Sequence, residues 1–268
     1  MEALRRDPKV SKEPFTRRLG EAGYGPKDGP VGQLDLLASA GLPVLEGVVL
    51  TEEAHREFMD SSGLLQILRA STPRRRSAHH DDDHEGALRE RALYLRRTYR
   101  AVPLSSELNR ALCTALIELG APSVIALSQN LRIEGLKSIP EVRDVLREAW
   151  LSAEALERQI DVAVCEEEIP TWPVLVQREA SLLYTALSSG EGTPERELEG
   201  KSHSNGRSVV LYDLEPAEEA SAGNNKSIAH FALEAESLLG GPLRIRWGLE
   251  GGRWYMLSAQ RAASRENW

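Results

Sequence analysis

The densest group of residues able to do chemistry is His79-His80-Asp81-Asp82-Asp83-His84, three imidazoles and three carboxylates in six positions. Such groups are suitable ligands for a divalent transition metal. The surrounding stretch 71–86 opens with Thr72-Pro73-Arg74-Arg75-Arg76, shows no apolar periodicity and reads as a solvated polar loop. Adjacent ligands on such a loop rarely form a defined site, so His79, His80 and His84 are weak metal candidates. Cys113 and Cys165, the two cysteines, are too few for a metal cluster and read as free thiols in a reducing compartment. No Walker loop, G-x-G-x-x-G after a strand, G-x-S-x-G elbow or H-E-x-x-H occurs.

The chain that must position these groups has 268 residues, 41% hydrophobic and 28% charged, enough to bury a large core. Its net charge of −8 and pI of about 5.4 disfavour binding to a nucleic-acid backbone. No apolar run approaches the roughly 20 residues of a membrane helix, and the start, Met1 to Asp7, lacks a signal-peptide core. The expectation is a cytoplasmic protein with no membrane insertion.

Residues 1–20 read as a basic tail or late-docking edge segment. Residues 21–125 form an N-terminal lobe with the polar loop at 71–86, and 126–268 a C-terminal lobe ending in a β-hairpin. Leu34, Leu36, Leu37 and Ala40 recur with helical spacing before Gly41, and Val44 to Leu50 reads as a strand. Helical patterns follow at 87–100 and 105–119, and Ser123 to Ser128 is a short buried strand. Ser138-Ile139-Pro140-Glu141 is a capping box ahead of Val142, Val145, Leu146 and Trp150. Pro173 to Gln177, Ser181 to Leu187 and Arg207 to Tyr212 read as strands, 188–206 as a long loop and Ile228 to Leu239 as a helix. Leu243 to Trp247 and Trp254 to Leu257 form a hairpin about Gly251-Gly252. Strands in the second half arrive without alternating helices, so the sheet there is expected to be largely antiparallel.

Ala40-Gly41-Leu42-Pro43-Val44 followed by Gly47-Val48-Val49-Leu50-Thr51 resembles the opening of the ATP-binding domain of the pyruvate phosphate dikinase and phosphoenolpyruvate synthase family. In the same order, Val142 to Arg158 resembles that family's helix pair around c-W-a-S, and Val174 to Gln177 its v-v-V-Q strand. Gly240 to Leu257 is similar to its closing g-g-P-q-D-I-E-W hairpin. The resemblance implies an α/β (α+β) fold, ATP-grasp-like, with two lobes holding a nucleotide and a largely antiparallel C-terminal sheet. It covers only the family's ATP-binding part, so neither the phosphohistidine domain nor the barrel is expected on this chain.

The departures are chemical. The family's phosphate-binding Lys falls at Pro30, which offers neither a cation nor an N–H, and its Asn falls at Gln33; Lys27 is the substitute. The V-R-S-S strand reads Ala126-Leu127-Ser128-Gln129, with leucine in place of the guanidinium. The metal-binding I-E-W triplet becomes Ile245-Arg246-Trp247. The L-Q-A-R-P end becomes Leu257-Ser258-Ala259-Gln260-Arg261, with Arg261 one position late. By resemblance the vestigial or alternative nucleotide-binding residues are Lys27, Gln33, Ser128, Gln177, Arg246, Ser258, Gln260 and Arg261. Glu250 is the nearest acid for a metal, Mg²⁺ is not expected, ATP is the one cofactor in view, and no catalytic residue is assigned.

Two functions follow. One is a pseudoenzyme, a regulatory or adaptor protein working through a protein partner, with Trp172 as a candidate anchor. The other is an ATP-binding phosphotransferase or nucleotide sensor acting on a separate acceptor, in which Lys27, Arg246 and Arg261 take over the phosphates.

Overall fold

The computed structural model describes residues 14–70, 81–121, 123–128, 131–164, 169–180, 182–187, 199–204, 207–211, 221–241, 243–250 and 253–261. The elements are β1 Thr16–Arg18, a 3₁₀ turn Pro26–Asp28, α1 Gly29–Ser39, β2 Gly47–Leu50, α2 Glu52–Ser61, α3 Leu64–Ala70, α4 Asp81–Tyr99 and α5 Ser106–Leu119. They continue with β3 Val124–Leu127, β4 Arg132–Leu136, α6 Ile139–Trp150, α7 Ala153–Val164, β5 Val174–Arg178, β6 Leu182–Leu187, β7 Glu199–Ser204, β8 Arg207–Leu211, α8 Ser221–Leu239, β9 Leu243–Glu250 and β10 Arg253–Arg261. Among the described residues, no helix is long and apolar enough to cross a membrane.

The strands form two five-stranded sheets, ordered β1-β2-β5-β3-β4 and β10-β9-β6-β7-β8, and the strand pairings within both are antiparallel. The mixed α/β class with an antiparallel C-terminal sheet is therefore as expected. Local signals explain the best-defined helices. Ser105 caps α5 by accepting from Leu108 N at 3.3 Å, and Gly120 ends it at φ +58°, a conformation glycine adopts without cost. In α6 the Ser138–Glu141 capping box is formed, and the stripe Val142, Val145, Leu146 and Trp150 is buried.

One face of the first sheet, through Leu50, Val124, Ala126, Val174 and Val176, packs on the helices α2 to α7 in the main core. The other face, through Val49, Leu127 and Leu175, packs on Val31 and Leu34 of α1. One turn further along α1, Leu36 and Leu37 pack instead with Ile245, Trp247, Met256 and Ala259 of the second sheet. Helix α1 thus packs against both sheets. Val44 leaves the first sheet to form an isolated bridge with Met256, so the strand expected from Val44 begins only at Gly47.

Several expectations need correction. Residues 81–86 of the polar loop assigned to 71–86 are helical, because α4 starts at Asp81, and acidic residues are the type favoured at a helix N-terminus; 71–80 lie outside the described residues. The stretch 188–206 contains β7, and α8 begins at Ser221, a turn and more before the apolar periodicity that marks it in sequence. Strand β4 was not expected at all. The boundary at 125/126 falls inside β3, and the first sheet draws β5 from beyond it, so the sheets and not the sequence halves are the packing units. Cys113 is a free thiol on α5; Cys165 and the Gly251-Gly252 turn lie outside the described residues.

Candidate functional site

The segment leading into α1 is organised by a buried carboxylate. Asp35, in the middle of α1, accepts hydrogen bonds from the backbone N–H of Gly20 at 2.6 Å, Ala22 at 3.3 Å and Tyr24 at 2.9 Å. This fixes the loop before the 3₁₀ turn, where the Asp28 carboxylate also accepts from Gly25 N at 2.8 Å. The loop lies so close to α1 that a Cβ on Gly32 would sit 2.0 Å from the Gly25 carbonyl oxygen. Lys27 is exposed on this turn. Pro30 occupies the first turn of α1, where a missing N–H costs nothing, and serves as a helix-start residue. Gln33 is one turn ahead of Leu36 and Leu37, and its Oε1 is buried without a hydrogen-bond partner.

A charged cluster lies between β4 and β9. Leu243, Ile245 and Trp247 of β9 enter the core with α1 and α8, so alternate residues Arg246, Gly248 and Glu250 face the first sheet. Arg246 Nη1 lies 3.0 Å from Glu134 Oε1, and Arg132 Nε hydrogen-bonds the same oxygen at 2.8 Å. Two guanidiniums therefore share one carboxylate oxygen, leaving one positive charge in excess. Arg132 Nη1 and Nη2 and Arg246 Nε are buried with no hydrogen-bond partner. The Arg246 pKa is lowered from its usual value, first by burial and then by the neighbouring Arg132 charge, with Glu134 opposing both. Unpaired buried N–H groups on a guanidinium cost free energy, and an anion with several acceptor oxygens would satisfy them.

A second ionic contact flanks the first. Arg178, at the end of β5, pairs with Glu250 at 3.2 Å and Glu46 at 3.4 Å. Glu250, expected as a metal-binding acid, is held by a guanidinium instead, as is Glu134. Among the described residues no group of three or more His, Cys, Asp or Glu is placed to hold a metal ion. His79 and His80 lie outside the described residues, and His84 falls in α4 rather than in a loop.

The remaining sequence-derived positions separate into three groups. Ser258 and Gln260 stand in register beside Arg246 and Arg244, and Arg261 beside Leu243. Gln177 is buried and donates from Nε2 to the Leu45 carbonyl at 2.8 Å. It thereby anchors the segment whose Leu45 N and Pro43 O bond Met256 of the second sheet at 3.2 and 2.7 Å. Ser128 lies on the helical side of the first sheet, in a cavity with Trp150 and Trp172, away from the Arg246 cluster. Trp172, considered as a surface anchor, is half-buried, donates from its backbone N to His55 Nδ1 at 3.1 Å and packs its ring against that imidazole.

Arg132, Glu134, Asp35 and Arg178 were not found from the sequence. A signal for the first two exists: Arg132-Ile133-Glu134-Gly135-Leu136 alternates charged and apolar residues just after the β3 run, the pattern of a returning hairpin strand.

No protein-family model matches the chain, and no characterised protein matches it in sequence. Among solved structures it is similar to D-alanine–D-alanine ligase from Bacillus anthracis complexed with ATP, with TM-score 0.38 and 11% identity over 87% of this chain and 62% of that one. It is also similar to the ATP-grasp ligase PsnB complexed with a minimal precursor, with TM-score 0.36 and 12% identity over 90% and 54%. A third is Cdc123 from Schizosaccharomyces pombe, with TM-score 0.46 and 11% identity over 88% and 83%. The chain spans less than two thirds of the length of the two ligases.

Proposed function

We propose that the inter-sheet cleft binds the polyphosphate of a nucleotide, ATP in the first instance, and that the chain works by binding rather than by phosphoryl transfer. One observation carries this reading: Arg132 and Arg246 converge on a single carboxylate oxygen while three of their nitrogens stay buried and unpartnered. The register adds to it. Leu127, where the resembled family has its phosphate-binding arginine, pairs directly with Arg132 on the neighbouring strand, so a guanidinium is available one strand away. Phosphoryl transfer needs metal and cationic stabilisation of the transferring group, and the carboxylates at this site are occupied by arginine. Regulation of a protein partner by nucleotide occupancy is the role we assign to such a domain.

Calorimetric titration with ATP and ADP, each with and without Mg²⁺, tests the proposal. Submillimolar binding is expected, weakened about tenfold by Arg132→Gln and by Arg246→Gln, as expected for loss of a charge-assisted hydrogen bond. No heat and no thermal stabilisation at millimolar nucleotide would overturn it.

A further inference from the structure

A separate cavity of about 120 Å³ opens on the helical side of the first sheet, among the α6–α7 turn, the β3–β4 hairpin and the start of β5. Its walls include Trp150, Trp172 and Val174, and its polar groups include Arg158 with the carboxylates of Glu148 and Glu154. Successive strand residues point to opposite faces, and Leu127 and Leu175 pack on α1. Ser128 and Val174 therefore place this cavity on the far face of the sheet from Arg132 and Arg246, and it requires nothing from the cleft.

We infer that this cavity is a second ligand site, built for a small planar aromatic acid. Size is the first argument: an apolar cavity of about 150 Å³ takes up a benzene-sized guest, and this one is comparable. Rigidity is the second. The Trp150 ring stacks on buried His55 at a centroid distance of 5.2 Å and 7° between planes, and Phe58 packs against it at 5.5 Å. Trp172 is tied to the same imidazole through its backbone N–H. The aromatic walls are thus set before a ligand arrives, which lowers the ordering cost of binding.

Polarity and charge then choose the ligand's substituent. Trp150, on the lining, is 1% exposed, and its indole Nε1–H has no hydrogen-bond partner. Glu148 on the lining is held by Arg96 at 2.6 Å and Arg100 at 2.7 Å. Arg158, more than half exposed, reaches Glu154 only at 3.9 Å, which leaves its guanidinium able to take a carboxylate. A ring between the two tryptophans with a carboxylate toward Arg158 uses both the aromatic walls and this guanidinium.

The test is titration of the full chain with benzoate and indole-3-carboxylate by saturation-transfer NMR. Benzyl alcohol serves as the ring without the charge and acetate as the charge without the ring. The aromatic acids are expected to bind saturably, benzyl alcohol about tenfold more weakly, and acetate not at all. Arg158→Gln, an exposed change that leaves the core intact, is expected to weaken the acids about tenfold. Ala149→Phe, which fills the cavity, is expected to abolish binding while near-ultraviolet circular dichroism stays native-like. Failure of both acids to saturate up to about 10 mM, or equal binding by wild type and both variants, would overturn the assignment. ATP binding is expected to be the same in all three proteins, which separates this site from the cleft.

Discussion

Arg246 Nη1 stands 3.0 Å from Glu134 Oε1, a contact that joins β9 of one sheet to β4 of the other. Because Arg132 uses the same oxygen at 2.8 Å, Glu134 neutralises only one of two guanidiniums. Glu134→Gln removes that neutralisation without removing the side chain's bulk. The expected result is tighter binding of tripolyphosphate or ATP, by several-fold, together with a stability loss of about 1 kcal/mol as two cations face each other. Parallel calorimetry and urea unfolding measure both. A variant that binds the anion more weakly would mean that Glu134 orients the arginines rather than competing with the ligand.

His55 sets a pH dependence. It is wholly buried, and its pKa is pushed down to about 3, first by burial and then by the nearby Arg56 charge, against 6.5 for an unperturbed histidine. The native ring stays neutral while the unfolded chain takes up a proton below pH 6.5, so the unfolded state binds more protons between those values. Stability from this residue is complete above pH 6.5 and is lost as the pH falls toward 3, at up to about 1.4 kcal/mol per pH unit. Urea unfolding of wild type and His55→Phe, compared between about pH 7 and pH 4.5, isolates it. The difference in slope should vanish if His55 titrates freely in the folded chain.

Asp35→Asn tests the loop that carries Lys27. The carboxylate accepts three backbone N–H groups from both oxygens. An asparagine must turn its NH₂ toward one set of donors, leaving at least one buried N–H unpaired at a cost of about 1–3 kcal/mol. Limited proteolysis should then cut within residues 19–28 first, and the Tm should fall. An unchanged Tm and cleavage pattern would show that helix packing alone holds the loop.

How much of this was legible in sequence depends on the range of the forces involved. The α6 capping box and its Val142, Val145, Leu146, Trp150 stripe are local, and they were read correctly together with the β9–β10 hairpin. Strand β4 was missed because its charged alternation acquires meaning only when Leu127 and Arg132 pair. The start of α4 was missed because Asp81 to His84 carry no apolar periodicity. Arg246 was singled out through its departure from a resembled motif, but its partner Glu134 comes from a distant segment of the other sheet. Ser128 and Gln177 show the converse. Their positions, Gln177 on β5 and Ser128 just past the end of β3, were close to those expected, whereas the side of the sheet on which Ser128 lies and the commitment of Gln177 to the Leu45 carbonyl are set by tertiary packing.

What holds the two sheets at their working distance can be decided by comparing two neighbouring residues of β9. Glu250 pairs with Arg178 at 3.2 Å, but each side chain is about a third exposed, at 32%. Solvent screens such a pair, so the double-mutant coupling between Arg178→Ala and Glu250→Ala should be below about 1 kcal/mol. Gly248 is different. A Cβ there would lie 2.4 Å from the Ala180 Cβ and 3.0 Å from Leu257, a contact with no flexible side-chain end on the Ala180 side to yield. Gly248→Ala must therefore push β9 away from the segment joining β5 to β6, costing about 1–3 kcal/mol. The same displacement moves Arg246, two residues away on the same face, so anion affinity should fall with stability in Gly248→Ala. It should stay within about twofold of wild type in Glu250→Ala, since loss of a screened pair leaves the strand in place. If Glu250→Ala lost affinity and Gly248→Ala did not, ionic contacts rather than close packing would be setting the cleft.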